Sequence, residues 1–247
     1  TIDSYIEDHL RSDSDKILLL DGARQIGKSY IIRTVGQRVY KNYVEINFAE
    51  DKEGEKIFEN IHKKEDFYLI LGMVAGQQLN TYEDTLVFLD EIQEYPQYLT
   101  MLKFLREDRR YHFIASGSLL GVTLNDTTSI PVGSVIVKQM FQLDFEEFLI
   151  ANGVGSYAIA SLRDKFEKKE SLSSEQHNKM IDLFRRYLLV GGLPDAVNIY
   201  LETHNIVKVR EVQDSIRAMY AADASKYEKN SQKKLYIRRI YEMIPSQ

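Results

Sequence analysis

A chain of 247 residues that is 44% hydrophobic can build a packed core, and its net charge of −5 argues against nucleic-acid binding over the whole surface. The absence of cysteine excludes disulfides, thiolate metal sites and a cysteine nucleophile and fits a cytoplasmic protein, while five histidines without an HExxH pair speak against a zinc enzyme. No apolar run reaches transmembrane length and Thr1–Leu10 is too polar for a signal peptide, so no membrane partner is expected.

In chain order, Lys16–Leu20 (KILLL), closed by Asp21-Gly22, reads as a buried parallel strand. Lys28–Val39 has the apolar spacing of a helix, and Tyr43–Phe48 reads as a second strand. Glu55–Ile61 and Asp66–Ala75 read as helices. Thr85–Leu89 (TLVFL) predicts a third buried strand ending on Asp90-Glu91, after which Pro96 opens a helix reaching about Arg109. A fourth strand is predicted over Tyr111–Ala115, ending at Ser116-Gly117-Ser118, and a fifth over Ser134–Leu143. Strands that alternate with helices predict an α/β fold: a parallel sheet covered on both faces.

The pattern changes near residue 144. Asp144 and Glu147 have the spacing of a capping box for a helix over Phe145–Ala151. Beyond it only helical periodicity follows, over Tyr157–Lys169, Glu175–Val190, Asp195–Leu201 and Ile206 to about Lys229. The expected division is an α/β domain over 1–152, an all-helical lid over 153–224 and the start of a further segment over 225–247. The chain opens without methionine and is expected to be a fragment of a longer protein.

Gly22-Ala23-Arg24-Gln25-Ile26-Gly27-Lys28-Ser29 matches GxxxxGK[ST] between a predicted strand and a predicted helix. Gly22 and Gly27 let the backbone turn so that successive N–H groups face phosphate oxygens. The helix that starts near Lys28 and runs on through Tyr30 adds the positive end of its dipole. Lys28 supplies a full charge to the β- and γ-phosphates, and the Ser29 hydroxyl is the candidate Mg2+ ligand. At the carboxyl end of the third strand Asp90 is placed to hold the metal through water, and Glu91 to orient the attacking water as a general base. Ser116, with Ser118 second, offers a hydroxyl at the next strand tip. No guanine-reading element is present, which favours ATP over GTP.

The stretches LLLDGARQIGKSYIIR, TLVFLDEIQEYP, FIASGSLLGV, SIPVGSVIVKQMFQLDFEEFL and YLLVGGLPDAV together resemble the prokaryotic predicted AAA-type ATPases, in which a P-loop domain precedes a C-terminal domain of unknown function. The resemblance implies a five-stranded sheet with a helical lid, Ser116 as the sensor residue, and Gly192-Leu193-Pro194 beside the nucleotide. It also implies that residues from 225 begin a winged-helix-like segment, followed beyond Gln247 by a nuclease-like domain, and it is compatible with a homo-oligomer. One departure stands out: many relatives carry an arginine straight after the glycine of the block that begins near Ser129, whereas here Gly133 is followed by Ser134. If that arginine is a finger on the transition state, turnover here is slow or another residue acts in trans.

Lys226, Lys229, Lys233, Lys234, Arg238 and Arg239 form a basic tail that faces either DNA or, as charge runs usually do, solvent on the way to a further domain. Tyr5 is a candidate cover for adenine. The reading that follows is an ATPase, with ATP and Mg2+ as cofactors, that couples nucleotide state to movement of the lid and the C-terminal part. The alternative is a slow nucleotide switch with little turnover; a small-molecule kinase would need an acceptor pocket with its own base.

Overall fold

The computed structural model describes residues 1–12, 14–76, 79, 84–118, 131, 133–224, 228 and 230–243. Contacts divide the chain into two compact units, Thr1–Met140 and Phe141–Gln247. Among the described residues no helix is long and apolar enough to cross a membrane.

The first unit is built on five parallel strands: β1 (Ile17–Asp21), β2 (Asn42–Asn47), β3 (Thr85–Asp90), β4 (His112–Gly117) and β5 (Val135–Gln139), in the order β2-β3-β4-β1-β5. The expected α/β class and the parallel sheet are therefore present, and β5 stops at Gln139 instead of reaching Leu143. Because side chains alternate across a strand, the apolar runs feed two separate cores. Leu18 and Leu20 join Leu86, Phe88 and Ile114 on one face, under α1 (Ile2–Arg11) and α2 (Lys28–Val39). Ile17 and Leu19 join Val87, Leu89, Phe113 and Ala115 on the other, with α3 (Phe48–Glu53), α4 (Lys64–Ala75) and α5 (Gln97–Asp108). The second face holds an aromatic cluster in which Phe48, Phe58 and Phe67 surround the fully buried Tyr98, ring centroids 4.4–6.5 Å from it. Each buried ring contributes about 1.5–3 kcal/mol by area alone.

Two further features of the first unit differ from expectation. The helix expected over Glu55–Ile61 does not form; α3 starts directly from β2 instead, because Asn47 Oδ1 accepts from the N–H groups of Ala49 (3.0 Å) and Glu50 (3.1 Å). The chain after it is held in turns by the Asp51 carboxylate, which accepts from Ile57 and Phe58 N–H, and by a left-handed Lys56 (φ 58°). The other difference is α1, which the sequence reading did not anticipate: Thr1 caps it and Ile6 and Leu10 bury one face.

The second unit is helical: α6 (Phe145–Ala151), α7 (Ser156–Lys168), α8 (Ser174–Val190), α9 (Pro194–Thr203), α10 (Ile206–Ala224) and α11 (Ser231–Met243). The Asp144–Glu147 capping box is present, with N···O distances of 2.8 and 3.1 Å. Phe148, Val190, Ala196, Val197, Tyr200 and Val209 form its core. Of the long helix expected to run to about Lys229, Ile206–Ala224 is described and Glu228 is not helical; Asn230 caps a new helix by accepting from Gln232 and Lys233 N–H. Lys229 itself lies outside the described residues.

Candidate functional site

All five strands run parallel, so their carboxyl ends lie along one edge, and register aligns their polar terminal residues. Asn47 pairs with Asp90, Ser116 with Leu20, and Asp21 with both Gly117 and Gln139. A buried apolar sheet with one polar edge is the arrangement in which ligands bind at strand tips.

From the end of β1 the loop Gly22–Gly27 leads into α2. Gly27, at the N-cap, has φ 91°, a conformation that costs glycine little and other residues much. A Cβ on Gly22 would lie 2.5 Å from Met140 O and 2.6 Å from Ile26 Cδ1, so the chain passes there only without a side chain. Gln25 is also left-handed (φ 62°) and Ile26 is buried beneath the loop. Lys28 is 5% exposed, and its ammonium lies inside the loop it follows, donating to Gly22 O (3.0 Å) and Ala23 O (2.7 Å). Burial lowers its pKa against the opposing pull of Glu91, Asp90 and Asp21. Tyr30, in the same first turn of α2, is 70% exposed.

Ser29 Oγ donates to Asp90 Oδ2 at 2.7 Å, across 61 residues of sequence. Asp90 is 2% exposed, and its Oδ1 accepts from the Ser116 hydroxyl and from Glu91 N–H (3.0 Å). Burial raises its pKa, more than the hydroxyl donors lower it. Ser116 is fully buried, so its hydroxyl is directed at Asp90. Glu91 adopts left-handed backbone (φ 53°, ψ 45°), a strain of about 1–3 kcal/mol for a non-glycine residue. Its Oε2 accepts from Gln93 Nε2 and lies 3.9 Å from Arg24 Nη2.

These residues fit a magnesium nucleotide. A buried ammonium and a buried carboxylate, each disfavoured by desolvation, face the same edge, where phosphate oxygens would compensate the first and a dication the second. Among the described residues no group of three or more His, Cys, Asp or Glu could hold a metal ion.

Sequence reading named Arg24 but missed Lys52, Gln93 and Glu94 here. Arg24 pairs with Glu94 (3.2 Å), whose carboxylate also accepts from Lys52 (3.1 Å), which ties the loop to the turn after Glu91. Gln93 and Glu94 are buried polar residues inside the run DEIQE, and that run was the available signal. Ser134 lies beside the opposite end of the sheet: its carbonyl accepts from Ile17 N–H at the start of β1 (3.0 Å) and its hydroxyl from Arg106 (3.0 Å). An arginine at that position would stand a full strand length from this chain's own loop. Tyr5 packs against the core under α1, with Lys138 Nζ 4.5 Å from its ring centroid. Pro194 belongs to the second unit, where it opens α9; Gly191 (φ 73°) ends α8, and a Cβ on Gly192 would lie 1.9 Å from Leu143 O. Leu119–Val122, Ser129, Lys226 and Lys229 lie outside the described residues.

The family described as AAA domain matches residues 14–149, more than half of the chain, and a family described as Domain of unknown function (DUF8612) matches residues 181–247. No curated protein matches the chain. Among solved structures it is similar to PCH-2 of C. elegans, at 15% identity and TM-score 0.48, covering 85% of this chain and 67% of that one. It is similar also to the S. cerevisiae Hsp104–ADP complex (15%, TM-score 0.47, 99% and 39%) and to Cdc6p from Pyrobaculum aerophilum (14%, TM-score 0.36, 60% and 45%). The chain thus spans less than half the length of the Hsp104 and Cdc6p chains. The loop after β1, the acid pair at the tip of β3 and the match over more than half of the sequence agree: the chain belongs to the AAA domain family, with the fold of a P-loop ATPase.

Proposed function

We propose that this chain binds MgATP in the Gly22–Ser29 loop, hydrolyses it to ADP and phosphate, and passes the nucleotide state to its helical unit as a lid and to its C-terminal part. The observation that best supports the chemistry is the Ser29–Asp90 hydrogen bond of 2.7 Å beside the buried Lys28. It joins the loop to the acid pair at the strand edge, where the attacking water and the γ-phosphate would meet.

In this reading the N–H groups from Gly22 through Ser29, Ala23, Arg24, Gln25 and Ile26 among them, cradle the phosphates, and Tyr30 continues the first turn of the helix beneath them. Lys28 turns from its loop carbonyls to the β- and γ-phosphates. Ser29 and, through water, Asp90 hold Mg2+, which supplies charge neutralisation across those phosphates. Glu91 orients a water and takes its proton as the water oxygen bonds to the γ-phosphorus and the bond to the β-bridging oxygen breaks. Ser116 acts through Asp90. The part given to Pro194, contact with the nucleotide from the lid, rests on resemblance alone.

A slow switch is the second reading. Arg24, the other cation of the loop, is engaged by Glu94 and Glu91 and so is drawn away from the γ-phosphate. Turnover of MgATP by the wild type and by Glu91→Gln, with and without duplex DNA, tests both. Multiple turnovers that fall by about a hundredfold or more in the variant support hydrolysis with Glu91 as base. Tight binding with at most one turnover in both proteins supports the switch, and no binding sinks the proposal. Stimulation by DNA would add DNA as a partner and direct attention to Lys233, Lys234, Arg238 and Arg239 on α11.

A further inference from the structure

We infer that Gln93 is a positioning residue that aims the Glu91 carboxylate by tying it to the tip of β4. The inference rests on the reading of Glu91 as the group that takes the proton of water. Gln93 sits in the 3-10 turn Ile92–Glu94, two residues after Glu91, and is 4% exposed. Both ends of its amide are used: Nε2 donates to Glu91 Oε2, and Oε1 accepts from Ser118 N–H at 3.1 Å. A planar amide carries a donor and an acceptor in fixed relation, so the bond to Ser118 settles where the N–H groups point.

Gly117 makes room for this contact. A Cβ there would lie 2.5 Å from Gln93 Oε1 and 3.2 Å from Ile92 Cγ2, so the close approach of Gln93 to β4 depends on the missing side chain. The tripeptide Ser116-Gly117-Ser118 therefore serves both acids. Ser116 holds Asp90 directly, and Ser118 holds Glu91 through Gln93. The second tie matters because Glu91 is held in strained backbone at the end of a strand, where its carboxylate would otherwise sample several rotamers. Arg24 and Gln93 both engage Oε2, and the inference assigns Oε1 to the water proton. A residue that merely satisfied Ser118 N–H needs only an acceptor at that point. A residue that aims Glu91 needs a donor as well, and a second carboxylate accepts from Ser118 but cannot donate to Glu91.

Three variants separate these roles. Gln93→Glu keeps the acceptor and loses the donor, Gln93→Leu loses both, and Gly117→Ala displaces the far end of a flexible side chain without touching either acid. In each, kcat for MgATP is expected to fall by about tenfold or more while nucleotide affinity stays within about twofold. Two signals are read in nucleotide-free protein. The Gln93 side-chain NH2 pair in a 1H–15N spectrum shifts in Glu91→Gln, and the Ser118 amide loses protection from exchange in Gln93→Leu but keeps it in Gln93→Glu. Turnover of Gln93→Glu and Gly117→Ala within about twofold of wild type, beside an inactive Glu91→Gln, overturns the positioning role alone. An unmoved Gln93 NH2 pair overturns the contact. Wild-type turnover by Glu91→Gln overturns the reading of Glu91 itself, and this is told apart by that variant.

Discussion

At the scale of single residues, burial disfavours the charges of Lys28 and Asp90 at the strand edge. Asp90 is buried with its pKa raised by desolvation, so in the free protein its charged form is less welcome than in the unfolded chain. The folded state then binds more protons than the unfolded state between the ordinary value of 3.8 and the raised one, and stability falls as pH rises through that window. The penalty remains in force above it, at neutral pH. Asp90→Asn removes the charge while leaving a side chain that can exchange hydrogen bonds with Ser29 and Ser116, whose hydroxyls donate or accept. We expect the nucleotide-free variant to melt at or above the wild-type temperature at pH 7, and to gain less than wild type from the same MgATP concentration, whereas wild type at a hundredfold excess over Kd gains about 2.7 kcal/mol. Differential scanning calorimetry with and without MgATP checks both halves. A variant that melts well below wild type without nucleotide would show that Asp90 serves the fold instead of the ligand.

At the scale of elements, the segments legible in the sequence were those whose local pattern coincided with their tertiary role. KILLL, TLVFL and YHFIA are apolar because β1, β3 and β4 are buried on both faces, and the loop and acid pair were legible because each is contiguous. What was not legible depended on side chains reaching across the fold. The helix expected over Glu55–Ile61 has suitable spacing, yet Asp51 binds the backbone N–H groups of Ile57 and Phe58. Gln93 and Arg24 reach their partners through a turn and an ion pair that periodicity does not register. The GGLP block shows the same limit. Its glycines and proline announce a break between α8 and α9, but the sequence does not say that Gly192 lies against the backbone of Leu143, whose N–H donates to Gly192 O at 2.8 Å. Gly192→Ala must move backbone, and we expect it to destabilise the protein by about 1–3 kcal/mol in urea unfolding. Gly72→Ala, inside α4 with nothing near its Cβ, should have the opposite sign, about 0.5–1 kcal/mol more stable. Equal effects of the two would mean that the close approach at Leu143 is unimportant.

At the scale of the whole molecule, two units with separate cores divide the work: the sheet carries the proposed chemistry, and the helices carry what the chemistry is proposed to move. Separate cores let one unit respond to nucleotide without unfolding the other, but coupling requires that the helical unit distinguish ATP from ADP. Hydrogen exchange reads this residue by residue, because amides that a ligand orders become protected. With Glu91→Gln used to keep ATP intact, we expect added protection over Gly22–Tyr30 and at the tips of β3 and β4 with either nucleotide. Coupling adds a second, more demanding expectation: the segment Gly191–Pro194 and the start of α9 exchange at different rates in the MgATP, MgADP and free states. If the first unit responds and the second exchanges identically in all three, the helices are not a nucleotide-driven lid. The output of the site must then be sought on the surface of the first unit, at the strand edge where the loop and the acid pair meet.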